Sequence, residues 1–183
     1  MIQGNRIVLR EKKLSDARND YAWETDHELA YLDAAPIIVS TFSQYQENYA
    51  EELRYVMPNS QRYAVDTVKG KHIGNCSYYN IDKRKGEAEL GIMVGNRRYW
   101  NRGYGTDIVK TMVRHIFSEI GLKRIYLKTL ESNIRAQQCF QKCGFTRYGH
   151  REKDGFSFML MEMHRSQWLE TSDNGLNPDM PMD

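Results

Sequence analysis

The chain has 183 residues, of which 40% are hydrophobic and 27% are charged, and these values are typical of a single soluble globular domain. The net charge of +2 and the lack of a basic block argue against a nucleic-acid partner or an anionic membrane surface. No stretch is apolar over the roughly 18 residues that a membrane-spanning helix needs, and the first residues do not resemble a signal peptide, so we expect a cytoplasmic protein.

Apolar periodicity, turn residues and helix caps predict the secondary structure. In chain order they predict a strand at residues 6–10, helices at 14–23, 26–32 and 43–57, strands at 62–68, 73–79 and 87–94, a helix at 107–120, a strand at 124–130, a helix at 133–143, and strands at 145–148 and 155–164. This order predicts an α/β fold with a central mixed sheet and helices on both faces. We expect residues 1–170 to form one domain and residues 171–183 to form a flexible tail.

A glycine-containing loop, residues 99–106 (YWNRGYGT), lies between the strand at 87–94 and the strongly periodic helix. Gly103 and Gly105 let the backbone turn tightly and approach a ligand, and the helix behind them presents free N–H groups that can bind phosphate oxygens. A helix cap explains the glycines equally well. The loop is not a P-loop, since no Lys-Ser/Thr follows, and the third glycine of a dinucleotide fingerprint would fall at Ile108.

A second segment, residues 131–136 (ESNIRA) continuing to 140–145 (FQKCGF), predicts a capped helix that ends at Gly144. Together with the strand at 88–94 (AELGIMV) and the glycine loop, it resembles the GNAT superfamily of acetyl-CoA-dependent N-acetyltransferases. The resemblance extends over residues 6–168 and implies a twisted, mostly antiparallel sheet. Residues 23–28 (WETDHE) and 151–155 (REKDG) resemble the branch that includes ribosomal-protein N-terminal acetyltransferases.

The resemblance implies that acetyl-CoA binds at the glycine loop and along the preceding strand. A strand edge can pair with the pantetheine arm, and one of its N–H groups can stabilise an oxyanion. Asn133 is expected to bond to the pantetheine or to hold the loop, and Trp100 is expected to give no charged contact. The other residues implied in cofactor binding are Ile92, Met93, Val94, Asn101, Arg102, Gly103, Tyr104, Gly105 and Thr106.

Acetyl transfer to an amine needs a base, because free amines are mostly protonated near neutral pH. The resemblance implies Glu89, which strand alternation places on the same face as Gly91, although a structural salt bridge explains a strand glutamate equally well. The tyrosine that many relatives use as the acid is replaced by Phe140. We therefore expect Tyr104 or Tyr126 to serve as the acid, or the thiolate to leave unassisted.

The acceptor is expected between the early helices and the last hairpin, where acidic and aromatic side chains at residues 21–33 can attract a cationic amine. Helix caps and a solvated face explain the same acids. The favoured acceptor is a protein N-terminal amine, attacked directly in a ternary complex. The alternatives are a small amine, such as a polyamine, amino sugar or aminoglycoside, and a non-catalytic acyl-CoA-binding module. The sequence leaves open whether the protein forms a homodimer.

The three cysteines, Cys76, Cys139 and Cys143, suit a reducing compartment. Cys139 and Cys143 lie four residues apart on a predicted helix. No further Cys or His stands at ligand spacing, so the pair predicts core packing and no metal is expected.

Overall fold

The computed structural model describes residues 1–55 and 57–173, and within helix 165–173 the side chains up to residue 170. Residues 174–183 of the predicted tail lie outside the described part. No helix of the described residues is long and apolar enough to cross a membrane.

The described part of the chain forms fourteen helices and strands. They are β1 (Ile2–Gln3), β2 (Ile7–Arg10), α1 (Ala17–Glu24), α2 (His27–Leu32), α3 (Phe42–Glu52), β3 (Ser60–Thr67), β4 (His72–Asp82), β5 (Glu87–Met93), α4 (Tyr104–Arg114), β6 (Arg124–Leu130), α5 (Ile134–Lys142), β7 (Thr146–Lys153), β8 (Phe156–His164) and α6 (Arg165–Asp173). Single 3₁₀ turns precede α1 and α4, and α4 continues as a π-helical segment, His115–Ile120. The chain therefore alternates between helices and strands as the sequence predicts.

The eight strands form one sheet in the order β1-β2-β3-β4-β5-β6-β8-β7. All neighbours are antiparallel except β5 and β6, which run parallel. The parallel pairing ends at Glu89 and Tyr126, after three residue pairs. Beyond that point β5 and β6 separate, and a gap opens in the middle of the sheet. The predicted mixed, mostly antiparallel sheet is confirmed.

Helices cover both faces of the sheet. On one face, Ile108 and Met112 of α4 are fully buried against strand residues such as Leu127, and burying each such side chain contributes about 1.5–3 kcal/mol. Cys76 of β4 points into the same core. Its neighbour Asn75 points to the opposite face, where its side chain donates to Asp20 of α1 at 2.8 Å. The periodic helix thus forms the core of one layer, and the early helices form the other layer.

The least accurate predictions concern element ends. Helix α3 ends at Glu52, not at 57. Leu53 and Tyr55, which follow it, are exposed, so a longer helix would not be stabilised by burying them. Strand β7 runs to Lys153, although the sequence predicts its end at 148. Nearly all of its side chains are exposed. An exposed, charged edge strand lacks the alternation of apolar and polar residues from which a strand is predicted. Helix α6 is not predicted, because Trp168 is its only buried side chain among the residues up to 170.

Candidate active site

The glycine loop is held in an unusual backbone conformation just before α4. Asn101 and Gly103 have φ angles of 55° and 82°, in the left-handed region that favours glycine. Gly103 is the N-cap residue immediately before α4, and it offers the first helical amides no side-chain cap. Arg6 fixes the loop from outside, since its Nη1 donates to the carbonyl oxygen of Arg102 at 2.9 Å. The first-turn amides therefore have no side-chain partner from the N-cap residue and are suited to bind an anion.

The start of α4 is tied to the N-terminal strands. The carboxylate of Asp107, in the first turn, accepts hydrogen bonds from the backbone N–H groups of Asn5 at 3.2 Å and Arg6 at 2.7 Å. Asp107 is 9% exposed, so these are largely buried contacts. They fix the direction of the helix and of its N-terminal amides relative to the sheet.

A cavity of about 290 Å³ opens beside this loop, between β5, α2 and α5; it is called the cofactor cavity below. It contains all the residues that the sequence implies in cofactor binding except Arg102 and Tyr104. The ring of Tyr104 instead packs against that of Tyr99, at 4.9 Å between ring centroids, and Arg102 is exposed. The lining residues are Leu29, Leu32, Asp33, Ile92, Met93, Val94, Trp100, Asn101, Gly103, Gly105, Thr106, Asn133, Arg135, Ala136, Gln138, Cys139 and Lys142.

One face of α5 supplies cavity residues that the sequence analysis did not select. Arg135, Gln138, Cys139 and Lys142 recur at helical spacing, so they share one face, and all four line the cavity. Asn133 begins this helix, and its Oδ1 accepts from the amide of Ala136 at 3.2 Å. The helical spacing of these side chains can be read from the sequence and predicts that they share a face. The sequence does not indicate that this face is the one that meets the glycine loop.

Trp100 also lines the cavity, although the sequence predicts no charged contact from it. Its indole N–H donates to the carbonyl oxygen of Val94, at the end of β5. Two guanidinium groups flank the ring, with the Cζ of Arg135 at 3.3 Å and that of Arg97 at 5.4 Å from its centroid. Arg97 in turn forms salt bridges of 2.7 Å with Asp26 and Glu28. Trp100 therefore connects β5, the glycine loop and α5 by contacts that involve no charge of its own.

Glu89 lies where β5 and β6 begin to separate, and it is 7% exposed. Its Oε1 accepts from the hydroxyl of Tyr79 at 2.9 Å and from Nζ of Lys128 at 3.1 Å, and its Oε2 accepts from Nδ2 of Asn80 at 3.0 Å. The nearby carboxylate and burial raise the pKa of Tyr79, with burial the larger cause. Glu89 is thus a hydrogen-bonded carboxylate in the gap, as strand alternation predicts, but it does not belong to the cavity lining.

Asp33, directly after α2, is the carboxylate that lines the cavity. Asp33 is solvent-exposed by surface area, but many protein atoms lie around its carboxylate and exclude part of the water from it. This exclusion of water raises the pKa of Asp33 to about 6, and the positive charge of Lys128 acts in the opposite direction.

The other predicted acceptor-attracting residues are engaged elsewhere. Asp26 caps α2 through the amides of Glu28 and Leu29, and its pairing with Arg97 lowers its pKa to about 2. The carboxylate of Glu24 accepts from the hydroxyl of Tyr45 at 2.9 Å. These acids therefore have structural partners, which leaves Asp33 as the acid of this segment that lines the cavity.

The predicted acids for the leaving thiolate are not brought to the cavity. Phe140, which replaces the tyrosine that many relatives use as the acid, is 5% exposed and packs against Phe145, at 5.8 Å between ring centroids. This position therefore belongs to the hydrophobic core. Tyr126 lies under the guanidinium of Arg124, at 4.9 Å. Neither Tyr104 nor Tyr126 is among the described residues that line the cavity.

Cys139 faces the glycine loop, with its Sγ 3.7 Å from the hydroxyl of Thr106. A hydrogen bond from Cys143 lowers the pKa of Cys139 to about 7, while burial opposes this shift. Cys143 also contacts the carbonyl oxygen of Thr106, at 3.7 Å. Among residues 1–55 and 57–173, no cluster of three His, Cys, Asp or Glu side chains could hold a metal ion.

The described residues fit coenzyme A. Uncapped helix amides and the cations of Arg135 and Lys142 suit phosphate groups. The edge of β5 that faces β6 suits an amide-containing arm at Ile92 and Val94, since among the described residues its pairing with β6 ends at Glu89.

Comparisons with known proteins show the family of the chain. A family model described as an acetyltransferase (GNAT) domain matches residues 6–146. Spermine/spermidine N(1)-acetyltransferase of Bacillus subtilis is 26% identical over 139 residues, covering 76% of this chain and 86% of that protein. The crystal structure of spermidine N-acetyltransferase from Vibrio cholerae in complex with CoA and spermine has a TM-score of 0.78 at 18% identity, covering 90% of this chain and 98% of the other.

An aminoglycoside acetyltransferase in complex with coenzyme A has a TM-score of 0.74 at 21% identity, covering 91% of this chain and 99% of the other. The family match spans most of the chain and includes β5, the glycine loop and α5. The chain therefore belongs to the GNAT acetyltransferase family and is an acyltransferase that uses acetyl-CoA as its acetyl donor.

Proposed function

We propose that this enzyme acetylates a small cationic amine of the polyamine or amino-sugar type. The observation that carries the proposal is the position of Asp33, whose carboxylate lines the cofactor cavity beside β5. A carboxylate there attracts an ammonium group to the end of the cavity that lies away from the glycine loop. The names of the relatives support the same acceptor class, since they refer to spermine, spermidine and aminoglycosides. They give no support to the protein N-terminus that the sequence resemblance favours, and that acceptor stays a prediction.

For the donor, we propose that the diphosphate of acetyl-CoA binds the amides of Gly105 and Thr106 at the start of α4. Arg135 and Lys142 line the same cavity and add positive charge. The pantetheine arm then runs back along Ile92 to Val94, and a β5 N–H faces the thioester oxygen. This direction brings the thioester toward Asp33 and the gap between β5 and β6.

The chemistry is direct attack in a ternary complex. The acceptor nitrogen must lose a proton before it can attack the thioester carbonyl. The fixed dipoles of β5 are already oriented, so they stabilise the developing negative charge without reorganisation. Glu89 as general base and a homodimer both stay predictions.

A panel of amines assayed with acetyl-CoA tests the acceptor class. The panel contains spermine, spermidine, ribostamycin, an aliphatic monoamine of similar length, and a peptide with a free N-terminal alanine. Release of coenzyme A is followed with a thiol reagent, and the acetylated product by mass spectrometry. We expect turnover of the polycations and kcat/KM at least tenfold lower for the monoamine, because it lacks the second positive charge. Acetylation of the peptide without acetylation of spermine, spermidine or ribostamycin would overturn the proposal.

A further inference from the structure

Two carboxylates lie near the end of the cofactor cavity where the acceptor is proposed to bind, and their surroundings differ. Glu89 accepts three hydrogen bonds, from Tyr79, Asn80 and Lys128, and both of its oxygens are engaged. These bonds occupy three of the roughly four lone-pair sites of the carboxylate, and protonation would remove the negative charge that pairs with Lys128. Glu89 is therefore held as an acceptor of hydrogen bonds and is poorly suited to take up a proton from a substrate.

Asp33 is in the opposite situation. Its backbone N–H donates to the carbonyl oxygen of Leu29 at 3.0 Å, which fixes the main chain at the end of α2. No described residue donates a hydrogen bond to its carboxylate, which lines the cavity together with Ile92 and Val94. Its oxygens are therefore available to a ligand.

The charged and titratable groups around Asp33 come from three strands. Lys128 of β6 is the cation that acts on its carboxylate, and Tyr79 of β4 is near enough to be influenced by its charge. Glu89 of β5 binds both Lys128 and Tyr79. Glu89 thus holds in place the cation that acts on the carboxylate of Asp33 and the hydroxyl that responds to its charge.

The geometry points to Asp33 as the group that takes the proton from the acceptor ammonium, with Glu89 as a positioning residue that acts through Lys128 and Tyr79. This inference rests on the proposed amine acceptor. The partial exclusion of water raises the pKa of Asp33 to about 6, and the charge of Lys128 opposes this shift. A carboxylate with this pKa is still mostly ionised at neutral pH and is a stronger base than an ordinary aspartate.

The proton balance is simple. One N–H bond of the ammonium breaks and an O–H bond forms on Asp33. The freed nitrogen lone pair forms the bond to the thioester carbonyl carbon, and the C–S bond breaks with its electron pair on sulfur. The thiolate takes the second proton of the nitrogen, and Asp33 releases its proton to water. The products are the acetamide and the thiol, with one proton released.

The pH dependence of kcat/KM tests this role with Asp33→Asn, Asp33→Glu and Glu89→Gln, on whichever amine of the panel gives the highest turnover. The wild type is expected to lose activity as the pH falls through about 6. Asp33→Asn is expected to lower kcat/KM by about 10²-fold or more and to remove this acidic limb. Asp33→Glu should recover part of the rate, because the carboxylate is restored. Glu89→Gln should lower the rate and keep the limb.

Asp154→Asn is the matched control, since Asp154 lies in the exposed β7–β8 turn, where its φ of 52° suits asparagine. It should leave the profile unchanged. An Asp33→Asn enzyme that keeps its rate within about threefold and keeps the acidic limb would overturn the inference, and so would loss of the limb in Glu89→Gln alone. A peptide as the best acceptor would contradict the proposed function and leave this test intact.

A titration that needs no acceptor separates the two proposals further. The carboxyl carbons of labelled aspartate are followed by NMR in the coenzyme A complex, and the Asp33 signal is assigned by its loss in Asp33→Asn. A midpoint near 6 supports the inference. A midpoint near the ordinary value of about 4 would overturn it, whatever the acceptor is.

Discussion

The guanidinium Cζ of Arg135 lies 3.3 Å from the centroid of the Trp100 ring, and both side chains line the cofactor cavity. Trp100 is at the same time hydrogen-bonded to the end of β5 through Val94. The stack therefore holds a cation of α5 against the glycine loop and the strand edge. Burial lowers the pKa of Arg135, and none of the described acids forms a salt bridge with it. A partly buried cation in this position is suited to a phosphate group of the donor.

Arg135→Ala is expected to weaken coenzyme A binding by about 10- to 100-fold, because a charge-assisted hydrogen bond contributes about 1.5–3 kcal/mol. Arg135→Lys should recover part of the affinity, since it keeps the charge and loses the planar group that stacks on Trp100. Isothermal titration calorimetry at two salt concentrations measures both effects. Arg147→Ala is the control, because Arg147 of β7 is exposed and pairs with Glu131. Equal dissociation constants for Arg135→Ala and the wild type would contradict this role.

The conformation of the glycine loop gives a second prediction. Gly103→Ala and Gly70→Ala each place a β-carbon at a left-handed φ, of 82° and 77°, without a close steric contact. Each substitution should therefore lower the free energy of unfolding by about 1–2 kcal/mol. Only Gly103 borders the cavity, so only its variant should also weaken coenzyme A binding, by about tenfold or more, as the loop relaxes and the α4 amides turn.

Chemical denaturation measures the free energy of unfolding of both variants, and calorimetry measures their affinity for coenzyme A. Gly70→Ala thus serves as a control for the backbone cost alone. If the two variants bound coenzyme A equally well, the left-handed geometry at Gly103 would have no part in presenting the amides.

The sequence predicts the parts of this site whose chemistry is local. Two glycines at the start of a periodic helix predict an anion site without help from the rest of the chain. Alternation along a strand suffices to place Glu89 on the face opposite Leu90. The overall fold is likewise predictable, because its hydrophobic periods are long and regular.

The missing parts depend on contacts between distant segments. Sequence reasoning excluded Trp100 because it lacks charge, but its role comes from stacking on Arg135 and from its N–H. The distinction between Asp33 and its acidic neighbours depends on Arg97, which pairs with Asp26 and comes from a loop 71 residues away in the sequence. Neither relationship has a periodic signature in the sequence.

Cys139 gives the last prediction. Its pKa of about 7 results from the hydrogen bond that Cys143 donates, with a smaller contribution from Thr106, so the reactive thiolate becomes the major form as the pH rises through 7. The rate of alkylation by iodoacetamide should therefore rise with a midpoint near 7, below the ordinary thiol value of about 8.5. Cys143→Ala removes the donor and should move the midpoint upward.

Coenzyme A should slow this alkylation, because Cys139 lines the cavity that the donor fills. The count of adducts by intact-protein mass spectrometry distinguishes it from Cys76, which is buried and whose thiol pKa is raised by that burial, so Cys76 should react only after unfolding. Cys139→Ala should abolish the fast reaction and leave the far-ultraviolet circular dichroism unchanged. Labelling at Cys139 that proceeds equally fast with saturating coenzyme A would place the donor away from α5, against the arrangement of Arg135 and Lys142 on the same helix face.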